Sequence, residues 1–104
     1  MRVVFTSRAE RHLDHIYHII ATASYESRAD AFVGRIIAYC RGFTTFPHRG
    51  TRRDDISPGL RTVGFERRVT LAFKVTEEEV IIAGVYYGGR NWEDAENRDE
   101  EADE

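Results

Sequence analysis

The chain has one cysteine, one lysine and two prolines in 104 residues. A lone Cys40 excludes an internal disulfide and a cysteine zinc cluster, and on an apolar helical stripe it reads as core filler. No run of about 18 apolar residues occurs, so no segment is expected to span a membrane. Charges at Arg2, Arg8, Glu10 and Arg11 interrupt the N-terminus where a signal peptide would be apolar, and a cytoplasmic protein is expected. A phosphate-cradling loop, a Gly-rich dinucleotide turn and a Ser/His/Asp arrangement are also missing. His12, His15 and His18 recur along one helix without the carboxylates or thiols that would complete a metal site. No cofactor or metal is expected. The length suits one domain near the lower limit for a self-sufficient core.

What is abundant is arginine. Residues 93–104 hold eight acidic residues and one arginine, a formal charge of −7; removing them from the chain's −3 leaves residues 1–92 at +4. Every basic residue of that body except Lys74 is an arginine. The reading is a mildly basic domain over 1–92 followed by an acidic, disordered tail over 93–104. Solvation is the ordinary role of such a tail; screening of a basic surface is the alternative.

Hydrophobic periodicity lays out the body. Val3 to Phe5 read as a short strand. Ser7 and Glu10 read as a capping box opening a helix from about Arg8 to Ala23, with Ala9, Leu13, Ile16, Tyr17 and Ile20 on its buried face. Arg8, Arg11, His15, His18 and Thr22 fall opposite. A second helix from about Ser24 or Ser27 to Phe43 carries the stripe Ala29, Phe32, Val33, Ile36, Ile37, Cys40 and Phe43. Its reverse face, Ala31, Gly34 and Ala38, is small, which suggests close packing on the first helix or a groove for a partner helix. The helix stops before Phe46-Pro47. Strands follow at about 60–65, 68–75 and 80–87, the last apolar on both sides as a covered central strand should be. The order β-α-α-β-β-β predicts an α+β fold, with a helical hairpin on one face of a small, antiparallel-rich sheet.

Pro58-Gly59-Leu60-Arg61 delivers one arginine onto a strand, and Tyr86-Tyr87-Gly88-Gly89-Arg90 delivers another after the last. With the Ala29/Phe32/Ile36 stripe, Phe46-Pro47 and Gly50, Leu71-Ala72-Phe73-Lys74-Val75 and Asn91, these pieces resemble the ParE-like toxins of the RelE/ParE superfamily over about residues 2–92. The resemblance implies the toxin of a type II toxin–antitoxin pair, in hetero-oligomeric complex with a ParD-like antitoxin. ParE-like members block DNA gyrase without bond chemistry; RelE-like members cut mRNA on the ribosome. A non-toxic interaction module of the same fold is a third possibility.

RNA cleavage requires a base, an acid and cations on the developing charge. The runner-up endonuclease set is His48, Arg61, Tyr87 and Arg90, but no paired lysines accompany it, and the only lysine faces away from the Phe73/Val75 side. Binding therefore reads better than catalysis, and the protein is more readily an inhibitor than an enzyme. Arg61, Arg90 and Trp92 are the expected target contacts, since Arg and Trp concentrate at interface hot spots. For the antitoxin the expected residues are Tyr25, Tyr39, Arg61, Arg67 and Arg68, beside a strand edge at 60–65.

Overall fold

A computed structural model of the chain describes residues 1–88 and 92–99. Strand β1 (Arg2–Phe5) leads into helix α1 (Ser7–Ala23) and helix α2 (Glu26–Arg41), which ends in a 3-10 turn at Gly42–Thr44. Strands β2 (Thr51–Arg52), β3 (Arg61–Phe65), β4 (Val69–Val75) and β5 (Glu79–Tyr87) follow, then helix α3 (Trp92–Asp99). One sheet has the order β1-β5-β4-β3-β2, with β1 parallel to β5 and every other pair antiparallel. This is the expected α+β hairpin-on-sheet layout, with a two-residue β2 and α3 added. Among the described residues, no helix is long and apolar enough to cross a membrane.

The main core lies between the sheet and the helical hairpin. Ala9, Leu13, Ile16 and Ile20 from α1 meet Ala29, Phe32, Ile36 and Cys40 from α2 over Leu71, Phe73, Val80, Ile82 and Val85. Both helical stripes are those the periodicity predicts, with Tyr17, Val33 and Ile37 half-buried at their margins. Burial pushes the Cys40 thiol up to about 12, as befits an inert core thiol. Gly34 corrects one expectation. It is exposed, and a Cβ there would meet nothing within 4 Å, so the small face Ala31-Gly34-Ala38 looks to solvent rather than to α1.

A β-bulge in β5 shapes the rest. Ala72 pairs with Gly84 and Phe73 with Ile82, leaving Ala83 as the extra residue. Ile82 and Val85 thus both face the helices, while Gly84 and Tyr86 face the other side. The backbone groups displaced from the ladder find side chains instead. Arg8 Nε and Thr6 Oγ1 donate to the Ala83 carbonyl at 3.0 and 3.2 Å, and the Val85 amide donates to His12 Nδ1 at 3.0 Å. Thr6 is also the true cap of α1, its hydroxyl accepting from the Ala9 amide at 3.0 Å. The helix begins one residue earlier than Ser7 and Glu10 suggest, because β1 ends at Phe5 and the extended Thr6 already occupies the capping position. Arg8, expected on the solvent face, is instead 5% exposed, because the Ala83 carbonyl and the Glu96 carboxylate draw its guanidinium under α3.

A second, smaller core on the opposite sheet face joins Leu60, Ala72 and Tyr86 to Ile56, Trp92 and Ala95. Residues 93–99, expected within a disordered tail over 93–104, are corrected to a helix that starts at Trp92. Glu96 is 4% exposed, bridges Arg8 at 3.1 Å and accepts from the Tyr86 hydroxyl at 2.6 Å. Gly84 makes the space: a Cβ there would lie 2.5 Å from the Glu96 carboxylate and 2.6 Å from the Tyr86 ring. An acidic composition alone predicts no order; a buried arginine at the start of α1 supplies the partner that composition does not show.

Glu96→Gln removes a carboxylate from the buried Arg8 guanidinium, and breaking a buried pair costs about 3–5 kcal/mol. An eight-residue helix cannot hold its seat against that. Trp92, the only tryptophan, reports the outcome: red-shifted emission and greater acrylamide quenching, with far-UV circular dichroism of the remaining fold retained. An unchanged Trp92 signal would show that α3 docks without the pair.

Candidate functional site

Two surfaces collect the exposed chemistry, at opposite ends of β3. The first is a groove of about 420 Å³ where the start of α2 meets the β3–β4 turn, lined by Tyr25, Arg28, Ala31, Phe32, Arg35 and Arg68 with Ile20 and Ser27. Phe32 forms its floor. Arg35 and Arg68 stack over its ring with their guanidinium carbons 5.3 and 4.9 Å from the centroid, and Tyr87 meets it edge-on at 6.1 Å. Arg28 lies 5.2 Å over Tyr25, itself 54% exposed. Arg35 forms a fork with Glu66 at 2.8 and 3.0 Å, which holds the Glu66 carboxyl below its ordinary range. An aromatic floor under a fringe of guanidiniums fits an apolar side chain carried beside carboxylates.

The turn beside this groove is strained. Glu66 and Arg67 both have positive φ, 53° and 61°, where a tight hairpin ordinarily places Asn and Gly. Beyond it, β3 has an open edge. Strand β2 pairs only with Arg61 and Thr62, so that among the described residues Val63, Gly64 and Phe65 have no neighbour strand on that side. Tyr39 packs against Phe65 at 4.8 Å and Phe43 at 5.3 Å.

The second surface surrounds Arg61. Its guanidinium donates to the Arg49 carbonyl at 3.1 Å and it lies across from Arg52 in the ladder. Arg49 in turn donates to the carbonyls of Phe46 at 2.8 Å and Gly42 at 3.3 Å, and stacks 4.6 Å over Phe43. Arg52 pairs with Asp54 at 2.8 Å. Asp54 accepts from the Gly59 amide at 2.8 Å and is held below the usual carboxylate range first by that amide, then by Arg52 and Arg61.

The antitoxin set expected from sequence is thus divided. Tyr25 and Arg68 meet in the groove, Arg67 borders it on the turn, and Tyr39 lies along the adjoining edge; Arg61 belongs to the other surface. Arg28, Arg35 and Phe32 complete the groove and were not singled out from sequence. The spacing of Arg28 and Arg35 around Phe32 is the signal, since it sets both guanidiniums on one helical side. Of the target set, Arg90 lies outside the described residues. Trp92 is half-buried against the second core with Arg53 over its ring at 5.1 Å. Of the endonuclease set, the described members do not all meet. Arg61 pairs with Phe73 and Tyr87 with Val69, about 13 Å apart along β4 alone and on strands that flank it on opposite sides, while His48 is an exposed loop residue next to the Arg49 that Arg61 bonds. Lys74 points to the other sheet face, donating to Ser57 Oγ at 2.8 Å.

The family model for the ParE toxin of type II toxin-antitoxin systems, parDE, matches residues 3–92. A solved structure described as the chromosomal ParDE TA system from P. aeruginosa is similar to this chain at 25% identity and a TM-score of 0.74, covering 85% of this chain and 96% of that one. Among curated proteins no sequence match is found.

Arg67→Gly removes a side chain from a left-handed position and is expected to stabilise the fold by roughly 1 kcal/mol, read as a raised midpoint in urea. A lowered midpoint would mean that the Arg67 side chain supports the turn.

Proposed function

Because this chain belongs to the ParE toxin family of type II toxin–antitoxin systems, we propose that it inhibits DNA gyrase by binding and is held inactive by a ParD-like antitoxin. The observation that favours inhibition over RNA cleavage is the separation of Tyr87 from Arg61 and the neighbouring His48, so that among the described residues no acid joins a base and a cation at one point. Among the described residues, the sheet face away from the hairpin offers no alternative centre. There α3 lies across the strands, and its Glu93 and Glu96 take Arg53 and Arg8 at 3.0 and 3.1 Å.

The antitoxin occupies the groove and the open edge together. A strand of the partner adds along Val63–Phe65 beside Tyr39, and the chain continues past Arg67 to set an apolar side chain on Phe32, with carboxylates against Arg28, Arg35 and Arg68. The target contacts are Arg61 and its surroundings, with Arg90 and Trp92.

Addition of the purified chain to a gyrase supercoiling reaction is expected to abolish supercoiling, and an excess of the antitoxin to restore it. Undisturbed supercoiling by a folded chain sinks the gyrase assignment, and ribosome-dependent cleavage of mRNA would replace it. In a titration calorimeter, Arg67→Glu with Arg68→Glu is expected to weaken the antitoxin by roughly tenfold or more. Wild-type affinity in that double variant would remove charge from the account of neutralisation.

A further inference from the structure

Phe46 is 72% exposed, the most open of the large apolar side chains among the described residues, and the loop that carries it is built to hold still. Its carbonyl accepts from Arg49 Nε at 2.8 Å, and the same guanidinium reaches Gly42 and stacks on the buried Phe43. Arg61 fixes the Arg49 carbonyl from β3 at 3.1 Å. Gly50, with φ of 77°, presses the loop against β3 so closely that a Cβ would lie 2.2 Å from the Thr62 carbonyl oxygen. Pro47 follows directly and fixes its own φ. An isolated exposed phenylalanine is unremarkable on a mobile loop. Here two arginines and a glycine restrain the loop while the ring stays outside the core.

We propose that Phe46 is the apolar anchor of the target-binding surface, and that the half-buried Arg61, through its bond to the Arg49 carbonyl, positions the loop rather than making the principal contact. The partner is a protein surface with an apolar socket bordered by carboxylates, matched by the exposed His48 and Arg52 of the same segment. Rigid presentation removes the ordering cost that an exposed loop pays on association, and a fully seated aromatic is the usual centre of such an interface. Single-stranded nucleic acid fits less well. It requires successive stacking platforms along a basic track, whereas Phe46 is a single exposed ring and the following arginines, Arg52 and Arg53, are already paired with Asp54 and Asp55. The inference rests on the inhibitor reading above and names the contact that reading leaves open.

The test compares the wild-type chain with Phe46→Ala and Phe46→Trp in gyrase supercoiling and in growth arrest on induced expression, with Glu77→Ala on the distant β4–β5 turn as control. Thermal melts establish that each variant is folded. Phe46→Ala is expected to lose inhibition by about thirtyfold, to keep wild-type affinity for the antitoxin, and to be rescued by Phe46→Trp. Equal inhibition by Phe46→Ala and wild type overturns the anchor and leaves the gyrase reading standing. If the wild type spares gyrase, that reading falls and growth arrest decides the anchor: arrest lost in Phe46→Ala supports it, arrest retained overturns it. A wild-type chain that does neither overturns both. Retardation of single-stranded RNA by wild type but not by Phe46→Ala overturns the choice of a protein partner.

Discussion

The Arg8 guanidinium is the interaction on which the two sides of this fold depend. It sits at the second position of α1, bonds the carbonyl left over by the β5 bulge, and carries the charge that holds Glu96. A single side chain thereby joins the corner between β1 and α1, the central strand and the helix on the far face. Its burial is tolerable only because a carboxylate and a carbonyl both face it, since an uncompensated guanidinium in that position costs several kcal/mol. The bulge, the glycine at 84 and the acidic helix follow as mutual requirements. The bulge turns Gly84 and Tyr86 toward α3, the missing Cβ leaves room for the carboxylate, and the carboxylate neutralises the arginine that closes the bulge.

Periodicity made the hairpin legible because both helices bury one clean stripe, so Ala29, Phe32, Ile36 and Cys40 declare themselves without knowledge of their partners. Val80 to Tyr87 declared itself as a central strand for the same reason, with apolar residues on both sides. The exceptions share a cause. Thr6 was overlooked as a cap, and Arg8 was assigned to solvent, because the strand–helix junction is set by where β1 stops, which a pattern of apolar residues does not mark. The helix at 92–99 was hidden because its reason to fold is a partner more than 80 residues away, |i−j| being 88 for Arg8 and Glu96. The alternation that identifies strands also has no means of showing a bulge.

Arginine abundance was the weakest guide to the site. Arg8 closes a bulge, Arg49 clasps the end of α2, Arg53 holds Asp55 and Glu93, and Arg35 is forked onto Glu66. Each of these guanidiniums is engaged within the fold, and a count of basic residues treats them as if they were all offered to a partner. Geometry separates the roles. Arg28 lies on the exposed Tyr25 ring and Arg68 caps the buried Phe32 ring where it lines the groove, and those are the ones positioned to meet an anionic segment.

Strand β3 sets the relation between the two surfaces. The groove and the strained Glu66–Arg67 turn stand at one end, Arg61 and the Phe46 loop at the other, and the open edge Val63–Phe65 runs between them. A partner that adds a strand to this edge is guided along the line joining the two sites. Its hold on the groove sets affinity through charge and one apolar anchor, while its passage toward Thr62 brings it against the loop that presents Phe46. Neutralisation then needs no change of shape in the toxin. On the proposed mode of binding, the edge that would set the antitoxin's register also leads toward the surface proposed for the target, and a longer antitoxin strand would cover more of that surface without any new pocket.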